Sequence, residues 1–268
     1  MLTKKNMCHF LLAILSTLSV LVSSCDKNAD LPDNPNGTFV RYAKDIALPS
    51  KVLGMNVNYS IYLPGDYVKN KTKRYGVVYL LHGYGDNNNS WNDQYLRITS
   101  LIDSLEATGT VSPMIYVLPQ GFNSYYVNKY DGSFDYMKMF VNELVPYIDK
   151  TYRTIADRDH RAVVGYSMGG FGAMVIPSMN PSVFSVSVPL SMSFRTDAQY
   201  TTEPADGWNK QWGSIFGGYG LLGEARLTAY YKSLCPLHFF TKASASSFSR
   251  MHYFLDCGDD EEQLSVGN

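Results

Sequence analysis

Residues Arg161-Ala-Val-Val-Gly-Tyr-Ser167-Met-Gly-Gly-Phe-Gly-Ala-Met174 decide the fold. A short apolar run enters the stretch, Gly165 and Gly169 flank Ser167 in a G-x-S-x-G pattern, and a small-residue segment leaves it. A sharp strand–turn–helix elbow requires small residues at both flanking positions, and it holds its serine exposed at the C-terminal edge of a sheet. The pattern alone says little: with Gly and Ser near 7% each, about one chain in ten of this length contains it by chance. The strand before it and the helix after it give it weight. The alternative reading is a tight turn with no chemistry.

Working outward, residues 75–81 form a continuous apolar run, as a strand buried on both faces requires, and it stops at His82-Gly-Tyr-Gly85. Further strands are expected over residues 39–47, 57–63 (alternating Val57, Tyr59, Ile61, Leu63), 114–118, 161–165, 183–190 and 252–256. Helices are expected over 93–107, 135–150 and 225–234, with another starting near Gly169; Pro146 predicts a kink or break in the second. Residues 191–230, mixed in composition with several glycines, read as an insertion or lid over the site. Strands alternating with helices in this order imply an α/β three-layer sandwich, a mostly parallel sheet with helices on both faces.

The chain has 268 residues, 45% of them hydrophobic and 18% charged, which is globular composition rather than disorder. The formal net charge is −1 and no basic stripe occurs, so no nucleic-acid partner is expected. Lys4 and Lys5 precede an apolar run from Phe10 to Val22, short for a spanning helix and laid out like an export signal. It ends in Val22-Ser-Ser-Cys25, which resembles a bacterial lipobox. Residues 1–24 are thus expected to be a signal peptide and Cys25 to be lipidated, anchoring an exported protein to a membrane. The alternative is an ordinary signal with an incidental Cys. Residues 25–37, rich in Asp, Asn and Pro, read as a tether, and the domain occupies 38–268. Within it, Cys235 and Cys257 are open to two readings, a disulfide or two separate thiols.

Ser167 is the candidate nucleophile. Attack by a hydroxyl on an acyl carbon creates an oxyanion, which needs donors fixed beforehand. The backbone N–H of Met168, at the helix start, and that of Tyr84, in the glycine-rich loop after the 75–81 strand, are assigned this role. The His82 ring is read as a brace for that loop. Tyr125, Tyr126 and Trp212 are candidate substrate-binding residues, with Tyr130, Trp208 and Tyr219 as further aromatic candidates; packing is the alternative for each. Neither paired-Cys nor His-x-x-x-His spacing occurs, so no metal and no cofactor is expected.

Five stretches in fixed order resemble the esterase D / feruloyl esterase family of α/β-hydrolases: Tyr62-Leu-Pro64, Leu80-Leu-His-Gly83, Glu143-Leu-Val-Pro-Tyr-Ile148, Gly165 to Gly170, and Asp256-Cys-Gly-Asp-Asp260. The resemblance implies a serine ester hydrolase working through a Ser–acid–His acyl-enzyme, and places the acid at Glu261 or Asp260. It also implies a histidine about thirty residues past the acid. His9 lies in the signal, His160 and His252 precede strands, and His238 follows a proline at a helix end, so none of them suits the role. The expectation is therefore a domain incomplete at its C-terminus, lacking a last strand and helix, with only residual turnover. Family and export together point to feruloyl, acetyl or other short acyl esters of extracellular carbohydrate as substrate. The alternatives are acyl transfer to a sugar or lipid acceptor, and a non-catalytic glycan-binding lipoprotein. Oligomeric state is open.

Overall fold

The computed structural model describes residues 40–242 and 248–258. Its described residues build one mixed sheet from β1 (Tyr42–Ser50), β2 (Met55–Tyr62), β3 (Val77–Leu81), β4 (Ile115–Pro119), β5 (Arg161–Ser167), β6 (Val186–Met192) and β7 (His252–Tyr253). The order across the sheet is β1-β2-β4-β3-β5-β6-β7. β1 and β2 pair antiparallel, and β2 is antiparallel to β4; β4, β3, β5, β6 and β7 all run parallel. After β3 the chain steps outward to β4 and then returns past β3 to β5. The strand order thus reverses between β3 and β5, and the crevice at the carboxyl ends of those two strands is where open α/β sheets bind ligands.

Side chains of β3 alternate between two layers. Val78 and Leu80 join Trp91, Ile102, Tyr116 and Leu118 in a cluster under α1 (Ile98–Ala107). Tyr79 points the other way, its ring 5.1 Å from Phe140 and 6.1 Å from Phe184. Phe140 belongs to a helical rod built from α2 (Tyr136–Met139), a widened turn (Phe140–Leu144) and α3 (Val145–Thr151). The expected break at Pro146 takes this form: Pro146 cannot donate, and the helix widens just before it and resumes with proline in its first turn. The expected 93–107 helix is also two pieces. A widened turn spans Trp91–Tyr95, Arg97 adopts a left-handed φ of 45°, and α1 restarts at Ile98. Asn92 explains the restart, since its Oδ1 accepts from Thr99 Oγ1 at 2.7 Å and from the Thr99 N–H, satisfying a donor of the new helix.

β5 and β6 are covered unevenly. Ala162, Val164 and Tyr166 on one strand, and Val186, Val188 and Leu190 on the other, are only partly buried, while Val163 and Ser187 between them are fully buried. Complete burial of this part of the sheet on both faces does not hold among the described residues. The 191–230 segment is not a lid. After α4 (Met168–Met179) and β6 it forms α5 (Asp197–Thr202) and a run of short turns whose Tyr200, Trp208, Trp212 and Phe216 bury one another. Buried Arg226 closes this aromatic unit by donating to the carbonyls of Tyr200, Glu203 and Leu221. α6 (Ala229–Leu234) then starts at Thr228, whose hydroxyl accepts from the Tyr231 N–H, and α7 (Pro236–Lys242) follows. Cys235 is buried, Cys257 is exposed, and no bridge joins them. The signal, the Cys25 site and the tether lie outside the described residues.

At the elbow, backbone meets backbone. A Cβ on Gly165 would lie 2.1 Å from the Gly169 carbonyl oxygen, and one on Gly169 would lie 2.2 Å from that of Leu81. Gly169→Ala should therefore cost about 3 kcal/mol, as overpacking against an unyielding backbone does. Gly132→Ala meets open space at φ +69° and should cost only about 1 kcal/mol. Urea unfolding of the two variants checks this, and equal losses would show that α4 is not wedged against β3.

Candidate active site

Ser167 ends β5 and precedes α4 with φ 54° and ψ −119°. A non-glycine residue held there costs of order 1–3 kcal/mol and persists only where its surroundings enforce it. They do so here. The glycine wedge fixes the chain on both sides, and the Ser193 N–H, just past β6, donates to the Ser167 carbonyl at 2.9 Å. Ser167 is partly buried, and its hydroxyl has no hydrogen-bond partner among the described residues. The next residue, Met168, opens α4, so its N–H lacks an intrahelical acceptor and stands at the positive end of the helix dipole.

The loop after β3 lies across the crevice. It turns tightly at Gly83–Asp86, where the Asp86 N–H donates to Gly83 O at 3.3 Å. The Tyr84 N–H inside that turn finds no acceptor among the described residues. Gly83 is tightly packed: a Cβ there would meet the Tyr166 ring at 2.8 Å and Asp86 Oδ2 at 2.9 Å, so those side chains would have to shift. Three bonds anchor the loop. The Gly85 N–H donates to Asn123 Oδ1 at 2.8 Å, Tyr126 Oη donates to His82 O at 3.0 Å, and the Trp91 indole donates to Leu81 O at 3.1 Å. The His82 ring is buried, with Nδ1 2.8 Å from Gly83 O and Nε2 2.8 Å from both the Gly121 nitrogen and Gln120 Oε1. Desolvation lowers its pKa below the ordinary imidazole value, so the ring is a neutral brace between the β3 and β4 loops.

A cavity of about 410 Å³ opens beside Ser167, walled by Tyr84, Asp86, Trp91, Tyr95, Tyr166 and Leu190. Tyr166 Oη donates to Asp86 Oδ2 at 2.8 Å and Tyr95 Oη to Asp86 Oδ1 at 3.2 Å, which leaves carboxylate lone pairs open to a ligand. A somewhat larger cavity, about 460 Å³, lies at the opposite ends of the strands, around Gly76, His160, Arg161 and Val186, remote from the elbow.

The substrate-binding expectation needs correction. Tyr125 and Tyr126 have no accessible surface and Trp212 has 1%. Tyr125 packs 4.3 Å from Trp212, bonds Ser193 Oγ and Gln211, and has its phenol pushed up to about 12 by burial. Tyr126 fills the space left by Gly121 and Gly172. All three are supports beneath the site rather than its lining. Trp208 is buried as well, and exposed Tyr130 and Tyr219 do not border the cavity. Asp86, Tyr95 and Tyr166 were missed. Their signal was present in the sequence: Asp86 lies three residues past Gly83, and Tyr166 is the residue before the nucleophile.

Asp260 and Glu261 lie outside the described residues. The chain approaching them runs parallel to β6, pairing Leu190 with Asp256, and the Ser191 N–H donates to Asp256 O at 2.7 Å. It therefore heads toward the sheet edge that carries Ser167. None of the described histidines bonds Ser167. His160 and His252 stand at the starts of β5 and β7, at the far edge, and His238 pairs with Asp197.

Known proteins match this arrangement. A curated endo-1,4-β-xylanase/feruloyl esterase of Xylanibacter ruminicola is 35% identical over 160 residues, 54% of this chain and 22% of that protein. An esterase of Mycobacterium tuberculosis is 33% identical over 129 residues, 47% of this chain and 26% of its own. The matches thus span about a quarter of those relatives' length. Among solved structures, a ferulic acid esterase superposes with a TM-score of 0.63 at 30% identity, covering 82% of this chain and 79% of that one. An S-formylglutathione hydrolase of Staphylococcus aureus gives 0.62 at 20% identity, covering 82% and 81%, which speaks for the fold alone. The fold is that of the α/β-hydrolase esterases. The Esterase family's sequence profile matches residues 50–265, a span holding the β3 loop, the Ser167 elbow and both candidate acids, and the chain therefore belongs to the Esterase family.

Proposed function

We propose that this protein hydrolyses carboxylic esters through an acyl-enzyme on Ser167, and that its substrates are feruloyl, acetyl or other short acyl esters of carbohydrate outside the cell. The observation that carries the reading is the strained serine at a helix N-terminus with two backbone N–H groups near it that find no acceptor among the described residues. Ser167 Oγ attacks the acyl carbon while a histidine base takes its proton, the Met168 and Tyr84 N–H groups receive the developing oxyanion, the alcohol leaves carrying that proton, and water deprotonated by the same base then splits the acyl-enzyme into carboxylic acid and free Ser167. Asp260 or Glu261 supplies the acid that orients the base. The relatives' names, xylanase/feruloyl esterase and ferulic acid esterase, support the carbohydrate-ester assignment. Export and a lipid on Cys25 follow from the N-terminal pattern and would keep the enzyme at the cell envelope beside such polymers.

Ser167→Ala should lower kcat on p-nitrophenyl acetate by about 10³-fold or more with little change in KM. Asp260→Asn and Glu261→Gln separate the two candidate acids: one variant should lose about 10²-fold or more and the other should stay within a few-fold. Undiminished turnover in Ser167→Ala would sink the assignment.

The cavity beside Ser167 extends the reading. Among the described residues its walls are aromatic and its one charged group, Asp86, has acceptor capacity left over, a combination suited to a flat ring bearing a hydroxyl. A methyl ester of 4-hydroxycinnamate should therefore be preferred over its 4-methoxy counterpart. Asp86→Asn should shrink that preference roughly tenfold through KM, an amount in line with one charge-assisted hydrogen bond. If both esters lose activity equally, Asp86 serves the loop and not the substrate.

A further inference from the structure

A second cluster of reactive side chains lies away from the Ser167 cavity. Asp197 opens α5 just after β6, while Cys235 and His238 frame the corner where α6 passes into α7. One donor atom from each of the three lies within 4.8 Å of the others. His238 Nε2 is 2.9 and 3.0 Å from the two Asp197 oxygens. Tyr231, one turn before Cys235, donates its hydroxyl to Asp197 Oδ1 at 2.8 Å and lies 3.3 Å from the Cys235 sulfur. The sequence concealed this set, because Cys-x-x-His spacing supplies only two ligands and the third comes from a distant turn.

We propose that Asp197, Cys235 and His238 form a binding site for a soft divalent cation, zinc in the first place. Two ligands of a tetrahedral zinc stand about 3.5 Å apart, given bonds near 2.3 Å to sulfur and 2.0 Å to nitrogen. The excess over that spacing, at most about 1.3 Å, is within reach of side-chain rotation, since the Asp197 and His238 side chains are 37% and 22% exposed. Cys235 is the buried member, and the exposed side of the cluster leaves a fourth position to water. Thiolate and imidazole favour zinc or cobalt over magnesium or calcium. Tyr231 holds Asp197 Oδ1, the outer-sphere arrangement by which metal-bound carboxylates are oriented, while Oδ2 and His238 Nε2, bonded to each other in this structure, would exchange that bond for bonds to the ion. An ion here clamps α5 to the α6–α7 corner. None of the three ligands borders the Ser167 cavity, so the site stands whether or not the esterase reading does.

The test is a Co²⁺ titration of the chelator-stripped full chain. A thiolate-to-cobalt charge-transfer band should grow to saturation at a single equivalent and be displaced by Zn²⁺. It should vanish in Cys235→Ser and His238→Ala and survive in Cys257→Ser, which removes the exposed thiol. Should those two variants fail to fold, Asp197→Asn, which keeps the shape and the Tyr231 bond, must weaken cobalt binding. Zn²⁺ should also raise the unfolding midpoint of the parent chain and not that of Asp197→Asn. No band, a band lost only in Cys257→Ser, or a midpoint indifferent to Zn²⁺ overturns the proposal.

Discussion

The glycine contacts between β3, β5 and α4 have almost no clearance, and the site depends on them. With no Cβ at Gly165 or Gly169, the first turn of α4 lies directly against the carbonyls that end β3. Any larger residue would push the helix away and, with it, the strained serine and the helix N-terminus. Two features required for acyl chemistry, an exposed nucleophile and nearby backbone donors, therefore come from one packing event. The strain at Ser167 is sustained by the same contacts and by the Ser193 N–H on its carbonyl.

The β3 loop needs separate support, because its Tyr84 N–H must be left unpaired in a turn that could otherwise collapse onto itself. Tyr126 and His82 supply that support from beneath, and the polar run Asn87–Ser90 supplies it from the side. The Asn89 N–H donates to Asn87 Oδ1, the Asn87 N–H to Ser90 Oγ, and the buried Asn88 amide to Ser60 Oγ and Asp45 Oδ1. This loop is polar, and its side chains replace the backbone bonds that a regular element would make. Its polarity is internal scaffolding for the Tyr84 N–H and for Asp86.

The strands and the elbow were legible because continuous apolar runs and glycine spacing are local signals. The strand expected over 75–81 forms as Val77–Leu81, and the one expected over 161–165 forms as Arg161–Ser167. The aromatic candidates were misread for a physical reason. Tyr125, Tyr126 and Trp212 follow a strand end or lie in an insertion, positions that often reach a ligand, but whether an aromatic ring turns outward depends on what packs over it. Gly121 and Gly172 leave a slot for Tyr126, and the 197–216 turns bury Tyr125 under Trp212. Such tertiary complementarity has no period in the sequence. The same holds for Asp197 and His238, brought together from 41 residues apart.

Tyr166 shows what local reasoning can recover. Along β5 successive side chains face opposite sides of the sheet, so the residue between Gly165 and Ser167 points away from α4, toward the α1 layer. Its ring there packs 4.9 Å from Trp91 and 5.6 Å from Tyr95, and its hydroxyl binds Asp86. The middle position of G-x-S is thus bound to wall the cavity for the same geometric reason that its neighbours are bound to be small. One three-residue segment sets the clearance for the helix, the shape of the ligand cavity and the placement of the nucleophile. A substitution at Tyr166 would alter which group fits beside Ser167 while leaving the backbone that presents the serine unchanged, since the glycines, not the tyrosine, hold that backbone in place.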